Sequence, residues 1–373
     1  MIYMDNAATT CLSEPVKQKM IQMFEMFGNP SSLHRLGLEA EKAVEESRDI
    51  IAKKIGADKK CLFFTSGGTE ANNLAIIGKA RALKKRGMHV ITTAIEHPSV
   101  IESFRALEKE GFSVDYIGVL PDGRVDMCAM EEALREDTVL VSVMHANNET
   151  GTVQPISEIK TLIRKKSPLA KLHVDAVQSF CKLDIKASDV DMLSISAHKI
   201  HGPKGVGALY IKDGKISPII NGGEQQGGIR PGTENVLGII AFGEAVKTAE
   251  FDFESAVGLR EYFKEQLVKN IENIKINGSD EFSSGSVLNV SFLGVKAEIL
   301  LHAFEAKGLY VSTGSACSSH KPQPSHVLTA MGLSKKEIEG AVRLSFDESL
   351  TTEQIDEAVK IIKTETQNIR RYM

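Results

Sequence analysis

The chain has 373 residues, a net charge of −4 and 42% apolar residues, a composition typical of an ordinary globular protein with room for two domains. The nearly balanced charge gives no reason to expect direct binding of nucleic acid, and no apolar stretch is long enough to span a bilayer. The N-terminus carries neither a basic segment nor an apolar core of the signal-peptide type, so we expect a cytoplasmic protein.

The N-terminal part begins with a short segment rich in turn-forming residues. Residues 1–13 are mostly small or polar at their centre and are expected to form an arm laid across another part of the protein. The spacing of apolar residues then predicts helices over 14–27 and 36–55. The second helix is followed by Gly56, which suits a C-terminal helix cap.

From residue 61 onwards, short apolar runs alternate with polar loops and helical segments. The apolar runs lie at 61–64, 89–93, 114–119, 139–144, 171–174, 192–195 and 208–211. Such alternation predicts an α/β fold in which a mostly parallel sheet is covered by helices on both faces. Ligands of these sheets bind beyond the carboxyl ends of the strands, so the polar loops there are the candidate site.

The pattern changes near residue 254, where a long amphipathic helix is followed by shorter elements. Strands are predicted at 286–292, 311 and 342–346, and helices at 259–271, 296–306, 334–340 and 352–372. We therefore expect a large domain over 14–255 and a smaller α+β domain. The smaller domain is expected to combine 1–13 with 256–373.

Lys199 and Asp175 follow two of the predicted strands. Lys199 lies between two histidines, and both desolvation and nearby cations would favour its neutral amine, which reacts with carbonyl compounds. A carboxylate such as Asp175 keeps a pyridinium protonated, so the pair suits pyridoxal phosphate. Taken singly, Lys199 also fits an ordinary loop lysine and Asp175 an ordinary helix cap or turn residue.

Two further loops carry candidate binding residues. Residues 65–69 (TSGGT) combine small side chains with a helix start, which suits an anion, although a plain glycine turn with a threonine cap explains them as well. His97 follows another strand and precedes Pro98. It suits an imidazole stacked on an aromatic ring, or an ordinary hydrogen-bonded histidine.

The cysteines indicate one candidate nucleophile. They are Cys11, Cys61, Cys128, Cys181 and Cys317, and they form no C-x-x-C pair, so neither a disulfide framework nor a metal site is predicted. Cys317 lies in a run of small residues over 312–319, which we expect to be exposed and mobile. His320 and Lys321 favour an ionised thiol there. An inert cysteine in a flexible loop is the alternative.

Arg343 interrupts the apolar run at 342–346. A buried guanidinium is costly unless a carboxylate compensates it. A substrate carboxylate held by two hydrogen bonds and a structural ion pair both satisfy that requirement.

Taken together, the motifs resemble those of the cysteine desulfurases of the NifS/IscS type, which have the aspartate-aminotransferase fold (fold type I) and use pyridoxal 5′-phosphate. The motifs are YMDNAATT at 3–10, FTSGGTE at 64–70, EH at 96–97, NNETG at 147–151, HVDAVQS at 173–179, SISAHKIHGPKGVG at 194–207, RPGT at 230–233 and GSAC at 314–317. The resemblance covers essentially the whole chain. It implies a mostly parallel central sheet between helices, plus a smaller α+β domain.

The resemblance also implies a role for each site residue. The cofactor would be bound by Gly68, Thr69, His97, Asn148, Asp175, Gln178, Ser196, His198, Lys199 and Thr233. The catalytic residues would be Lys199, His97 and Cys317, and the substrate would be bound by Arg343, Asn148, Asn6 and Ala7. Thr233 is expected to reach the cofactor phosphate of the other subunit, which implies a homodimer.

The implied reaction converts L-cysteine to L-alanine and leaves the sulfur as a persulfide on Cys317. An acceptor protein, either an iron–sulfur scaffold or a tRNA-thiolation enzyme, would then take the sulfur. The long segment over 312–324 resembles the first of the family's two groups. No metal and no membrane are implied.

Two alternative functions remain open, and the sequence departs from the family pattern at three positions. A selenocysteine lyase or an aminotransferase would use the same cofactor site, and a non-catalytic sulfur-relay protein would use only the thiol. Relatives usually carry a Gly-Arg pair near Asp347 and Glu348, and many have arginine at Gln226. The two acids affect expectations for the charge near the substrate entrance or a partner surface, and the sequence offers no physical account of the glutamine at 226.

Overall fold

The computed structural model describes residues 1–314, 324–347 and 349–372. Its strands are β1 (Ile2–Tyr3), β2 (Leu62–Thr65), β3 (His89–Thr93), β4 (Ser113–Ile117), β5 (Thr138–Met144), β6 (Lys171–Asp175), β7 (Met192–Ser196), β8 (Gly207–Ile211), β9 (Ile274–Asn277), β10 (Val287–Phe292), β11 (Leu309–Tyr310) and β12 (Ala341–Ser345).

The helices are α1 (Glu14–Met23), α2 (Arg35–Lys54), α3 (Gly68–Asn73), α4 (Lys79–Leu83), α5 (Pro98–Lys109), α6 (Met127–Ala133), α7 (Ile156–Lys166), α8 (Val236–Lys247), α9 (Phe253–Asn270), α10 (Ala297–Glu305), α11 (His326–Ala330), α12 (Lys335–Glu339) and α13 (Thr352–Arg370). A π-helical turn over Leu74–Gly78 joins α3 to α4. Throughout the described ranges, no helix is long and apolar enough to cross a membrane.

Seven strands form the main sheet, in the order β2-β8-β7-β6-β5-β3-β4. The pairs β3–β4, β3–β5, β5–β6 and β6–β7 are parallel, while β8 is antiparallel to both of its neighbours. The predicted mostly parallel α/β sheet is therefore confirmed. Its strands β2, β3, β5, β7 and β8 are buried along their whole length, as expected for a sheet covered on both faces.

Two apolar clusters cover the two faces of this sheet. One includes Val44 and Phe242 from α2 and α8, and the other includes Val100 and Phe104 from α5. Because both faces are filled, the polar side chains that follow the strands are concentrated at the carboxyl edge.

A second, antiparallel sheet has the order β12-β10-β9 and its own apolar cluster. The N-terminal segment belongs to this cluster, since β1 pairs with β11 and Met4 is fully buried. The arm then crosses to the main sheet, where Thr10 N donates to His198 O at 3.0 Å. The first ten residues therefore bridge the two sheets at the candidate site.

Several elements differ from the prediction. Helix α1 ends at Met23, and the expected last turn leaves Phe24 and Phe27 exposed. The strand expected at residue 311 lies at Leu309–Tyr310, where it pairs with β1. Helix α8 was not predicted, because its sequence is apolar on almost every side and shows no helical period.

Candidate active site

Lys199 lies in a single 3-10 turn directly after β7. Its Nζ donates to the carbonyl oxygens of Ala7 and Ala8, both at 2.6 Å. Gln178 Nε2 donates to the same Ala7 oxygen at 2.9 Å. The arm therefore lies directly against the lysine and brings Ala7, Gln178 and Lys199 together.

Asp175 ends β6 and is 5% exposed. Its Oδ2 accepts a hydrogen bond from Asn72 Nδ2 at 2.7 Å, and its Oδ1 accepts one from Val177 N at 2.9 Å. These bonds fix the carboxylate at the edge of the sheet. Asn72 was not identified from the sequence, because it lies 103 positions from Asp175 and belongs to no separate motif.

His97 is the N-cap of α5, and its Nδ1 accepts a hydrogen bond from Ser99 N at 3.1 Å. Burial lowers the pKa of His97, the charge of Asp175 opposes that shift, and the charges of Lys199 and His326 add to it. The neutral ring therefore carries its proton on Nε2. This result locates His97 in the same electrostatic environment as Asp175 and Lys199.

A cleft of about 440 Å³ lies beside the start of α3. It is lined by Ala8, Thr9, Ser66, Gly67, Gly68, Thr69, Glu70, Ser196, His198, Lys204 and Gly205. A Cβ at Gly68 would lie 2.6 Å from Val177 Cγ2, so the chain needs glycine at that position. The cleft thus brings together Gly68, Thr69, Ser196 and His198, four of the predicted cofactor-binding residues.

Two polar side chains of this cleft, those of Ser196 and His198, have unusual surroundings. Ser196 Oγ is buried and has no hydrogen-bond partner among the described residues. Burial, together with the charges of Lys199 and Lys204, lowers the pKa of His198 to about 4, so its ring is neutral at pH 7. His198 Nδ1 lies 3.2 Å from Thr9 Oγ1.

Arg343 is 1% exposed and projects from β12. Its Nη2 donates to Asp5 Oδ1 at 2.8 Å and its Nη1 donates to Asn148 O at 3.0 Å. Its Nε is buried without a partner in the described part of the chain. The ion-pair interpretation is thus realised through Asp5, and the unpaired Nε leaves capacity for an anion.

Asn6 and Ala7 lie between this arginine and Lys199. Ala7 N donates to Ser345 Oγ at 2.9 Å, and Asn6 Nδ2 donates to Asp347 Oδ2 at 2.9 Å. The departure at Asp347 therefore has a structural role, since this carboxylate receives Asn6. His201 Nε2 lies 3.5 Å from the same carboxylate.

Gln226 also has a structural role. Its Oε1 accepts from Phe64 N and from Arg48 Nη1, both at 2.9 Å, and its Nε2 donates to Glu234 Oε1 at 3.0 Å.

Thr233, another predicted cofactor-binding residue, is exposed and does not line the cleft of about 440 Å³ in its own chain. Cys317 and Glu348 lie outside the described residues.

Glu96, next to His97, is fully buried and was not identified from the sequence. Its Oε1 accepts from Thr93 Oγ1 at 2.6 Å and from Met144 N at 2.9 Å. Burial raises the pKa of Glu96 to about 8, and the charge of Asp175 contributes to the shift. A protonated carboxyl group therefore lies behind the site at neutral pH.

Comparison with known proteins supports the family resemblance found in the sequence motifs. The family Aminotransferase class-V matches residues 2–358. The chain is 45% identical to the putative cysteine desulfurase IscS 1 of Bacillus subtilis, over 96% of this chain and 97% of that protein. It is 42% identical to the cysteine desulfurase IscS of Dictyoglomus turgidum, over 99% of this chain and 95% of that protein.

Solved structures give the same result. A NifS-like protein matches with a TM-score of 0.91 and 37% identity, over the full length of both chains. A structure described as SspA in complex with cysteine matches with a TM-score of 0.84 and 36% identity, over 93% of this chain and 99% of that one. The chain therefore belongs to the class-V aminotransferase family and, within it, to the cysteine desulfurases of the NifS/IscS type.

Proposed function

We propose that this chain is a pyridoxal-phosphate-dependent cysteine desulfurase that converts L-cysteine to L-alanine and carries the released sulfur as a persulfide on Cys317. The observation that supports it best is the convergence of Gln178 and Lys199 on one carbonyl oxygen, that of Ala7, at 2.9 and 2.6 Å. Asp175, three residues before Gln178, accepts a hydrogen bond from Asn72, and its charge acts on His97 together with that of Lys199. A lysine that forms an imine and a carboxylate that keeps the ring nitrogen protonated are the groups that pyridoxal phosphate requires.

The residues of the site fit the cofactor. Ser196 Oγ is a buried hydroxyl without a partner among the described residues, and it lines the cleft with Gly68 and Thr69. A phosphate group would satisfy that hydroxyl together with the amides at the start of α3. Lys199 would hold the carbonyl carbon of the cofactor, Asp175 the ring nitrogen and Gln178 the ring hydroxyl, while His97 would stack on the ring.

When bound, pyridoxal phosphate supplies an electron sink for the substrate carbon that loses its proton. The rest of the chemistry belongs to side chains of this chain. Arg343 binds the carboxylate of L-cysteine, with Asn148, Asn6 and Ala7 around it, and thereby fixes the position of the substrate Cα. Lys199 removes the proton from Cα and later delivers a proton to the product.

Cys317 performs the sulfur transfer. Its thiolate attacks the sulfur of the substrate, so that the substrate C–S bond breaks and an S–S bond forms on the enzyme. Protonation of the remaining carbon skeleton gives alanine. The net change is one cysteine consumed, one alanine released and one persulfide formed, with no external oxidant or reductant.

The proposal includes two kinds of protein partner. A sulfur-acceptor protein, either an iron–sulfur scaffold or a tRNA-thiolation enzyme, takes the persulfide sulfur in the cytoplasm. A second copy of the chain completes the cofactor site, with Thr233 reaching the phosphate bound by the other subunit. The exposure of Thr233, and of apolar side chains between Ile21 and Leu38, is consistent with such a dimer.

The proposal is tested by mass spectrometry of the intact protein and its peptides after brief exposure to L-cysteine without reductant. We expect a one-sulfur adduct on Cys317 of the wild type and its absence from Lys199→Ala. Cys128→Ser is the matched thiol control, because Cys128 is exposed on α6 and is expected to have no part in the reaction. That variant should carry the adduct on Cys317 as the wild type does.

Two outcomes would contradict the proposal. If the protein binds the cofactor and forms alanine or a keto acid while Cys317 stays unmodified, the chain is a selenocysteine lyase or an aminotransferase instead. If the purified protein is colourless and does not take up the cofactor, the non-catalytic sulfur-relay alternative holds.

A further inference from the structure

One buried carboxylate lies beside both ends of the segment that contains Cys317. Glu149 is 1% exposed, and its Oε2 accepts a hydrogen bond from Ser325 Oγ at 2.6 Å. A Cβ built on Gly314 would lie 3.6 Å from the same oxygen. Residues 314 and 324 border the nine residues that lie outside the described structure. Glu149 Oε2 is therefore bonded one position beyond the second border, at Ser325, and lies near the first border, at Gly314.

The backbone around Glu149 is fixed, so its carboxylate is held in one place. Glu149 N donates to Asn147 Oδ1 at 2.9 Å, and Glu149 O accepts from Asn289 Nδ2 at 3.1 Å. Asn289 is fully buried. An O–H···O distance of 2.6 Å is in the range of charge-assisted bonds, which are roughly twice as strong as neutral ones.

The same turn contacts the substrate-binding arginine. Asn148 O accepts from Arg343 Nη1 at 3.0 Å. The backbone of Arg343 in turn exchanges two hydrogen bonds with Ser312, at 2.7 and 3.2 Å. The chain that enters the Cys317 segment and the chain that leaves it are therefore both bonded to the structure that holds the substrate carboxylate.

We propose that Glu149 is a positioning residue for sulfur transfer, which fixes the ends of the Cys317 segment relative to the substrate bound at Arg343. This inference rests on the proposed function. The sulfur-transfer step needs the thiolate within contact distance of the substrate sulfur, and an error of 1 Å can cost about 100-fold in rate. Binding of the substrate itself needs Arg343 and not the bond to Ser325.

A second contact keeps the segment attached when that bond is lost. His326 Nε2 donates to the carbonyl oxygen of Glu96 at 2.9 Å, one residue beyond Ser325. Removal of the Glu149–Ser325 bond therefore changes the position of the segment end without releasing it. The variants Ser325→Ala and Glu149→Gln are accordingly expected to fold.

The test compares two steps in the full-length holoenzyme. Cysteine binding is measured by the absorbance change of the bound cofactor, and persulfide formation on Cys317 by rapid quenching and mass spectrometry in a single turnover. We expect Glu149→Ala and Ser325→Ala to slow persulfide formation about 10- to 100-fold while the affinity for cysteine stays within about twofold. Ser325→Ala also removes the N-cap of α11, because Ser325 Oγ accepts from Leu328 N at 3.1 Å, so it should be at least as slow as Glu149→Ala. The double variant should be no slower than Ser325→Ala, because the Glu149–Ser325 bond is already absent from that single variant.

Two controls separate positioning from a merely structural effect. Glu149→Gln keeps an oxygen that accepts from Ser325 and should retain most of the rate. Glu149, Gly314 and Ser325 line a second cleft, of about 880 Å³, together with the exposed Glu298. Glu298→Ala removes this carboxylate and should leave both steps unchanged.

The inference is overturned if Ser325→Ala transfers sulfur at the wild-type rate. It is also overturned if Glu149→Ala and Ser325→Ala lose cysteine affinity in proportion to rate. A wild type that forms no persulfide on Cys317 would instead refute the proposed function, and the inference with it.

Discussion

Asp5 Oδ1 lies 2.8 Å from Arg343 Nη2 and compensates a guanidinium that is 1% exposed. The two residues are 338 positions apart and meet because the N-terminal arm runs beside β12, where Asn6 N also bonds to Ser345 O at 3.1 Å. Together with Asn148 O, the carboxylate of Asp5 sets the orientation of the guanidinium plane. The remaining N–H donors of the Arg343 guanidinium therefore point in fixed directions.

Substitution of Asp5 by asparagine is predicted to weaken substrate binding. The variant loses a charge-assisted hydrogen bond of about 1.5–3 kcal/mol, so the guanidinium is less well oriented. We expect KM for L-cysteine to rise about 10-fold, with a smaller change in kcat and a lower Tm. Steady-state kinetics and thermal unfolding measure these effects.

The matched control is Asp137→Asn, which alters an exposed ion pair with Arg135. It should leave KM, kcat and Tm unchanged. Tighter binding of cysteine by Asp5→Asn would contradict the prediction. It would show that Asp5 competes with the substrate carboxylate instead of orienting the arginine.

Glu96 is predicted to make the stability of the protein depend on pH. Its pKa is raised to about 8 by burial, whereas the unfolded chain releases the proton near pH 4.5. Between these values the native state holds a proton that the unfolded state has lost. The contribution of Glu96 to stability therefore falls as pH rises through this range, by about 1.4 kcal/mol per pH unit at most.

Glu96→Gln removes this titration and keeps an oxygen that accepts from Thr93 and Met144. We expect the difference in unfolding free energy between Glu96→Gln and wild type to grow in favour of the variant from pH 5 to pH 8. Glu102→Gln, at an exposed position of α5, is the control and should follow the wild type. Parallel profiles for Glu96→Gln and wild type would count against a protonated Glu96.

Gln226 is predicted to stabilise the main sheet. Gln226→Ala leaves the buried Phe64 N–H without its acceptor and removes the bonds to Arg48 and Glu234. The expected loss is about 2–4 kcal/mol of unfolding free energy. Gln226→Arg should be at least as destabilising because it brings a second cation next to Arg48.

Denaturant titration measures both variants. Gln225→Ala is the comparison, since Gln225 is only partly buried and its Oε1 accepts from Gly232 N at 3.1 Å, its one side-chain hydrogen bond within the described part of the chain. It is expected to cost less than about 1 kcal/mol. An equal loss in Gln225→Ala and Gln226→Ala would show that the bonds of Gln226 contribute nothing specific.

The strand ends with Asp175 and Lys199 were predictable because a buried strand and the polar loop after it leave a strong local pattern. The partners of these residues were not. Asn72 and Asp5 act through contacts across more than one hundred positions, and a single amide or carboxylate carries no periodic signal. Glu96 was missed for a related reason, because its properties come from complete burial, which the sequence Glu96-His97 does not reveal.

The difference at the end of α1 has a direct consequence for the proposed dimer. The helix predicted over 14–27 included Phe24 and Phe27, yet α1 ends at Met23 and these side chains are 64% and 81% exposed, and Leu33 is 93% exposed. Large apolar side chains gathered in one segment of a single subunit are typical of a surface that a partner covers. A second copy of the chain is the partner that the proposed position of Thr233 requires.

Substitution of both Phe27 and Leu33 by serine is therefore predicted to shift the protein from dimer to monomer at micromolar concentration. Because neither side chain is buried within one subunit, the fold of that subunit should be retained, with an unchanged circular dichroism spectrum. The monomer should also bind the cofactor more weakly, since Thr233 of the other subunit no longer reaches the phosphate. Sedimentation velocity and cofactor titration measure the two effects.

Leu169→Ser is the control, because Leu169 is 53% exposed but lies far from this segment in the sequence. It should leave the protein dimeric with unchanged cofactor affinity. A wild type that sediments as a monomer would contradict the dimer itself. A Phe27 and Leu33 double variant that remains dimeric would show that the subunits associate through another surface, because a covered apolar patch of this kind cannot be replaced by serine without loss of affinity.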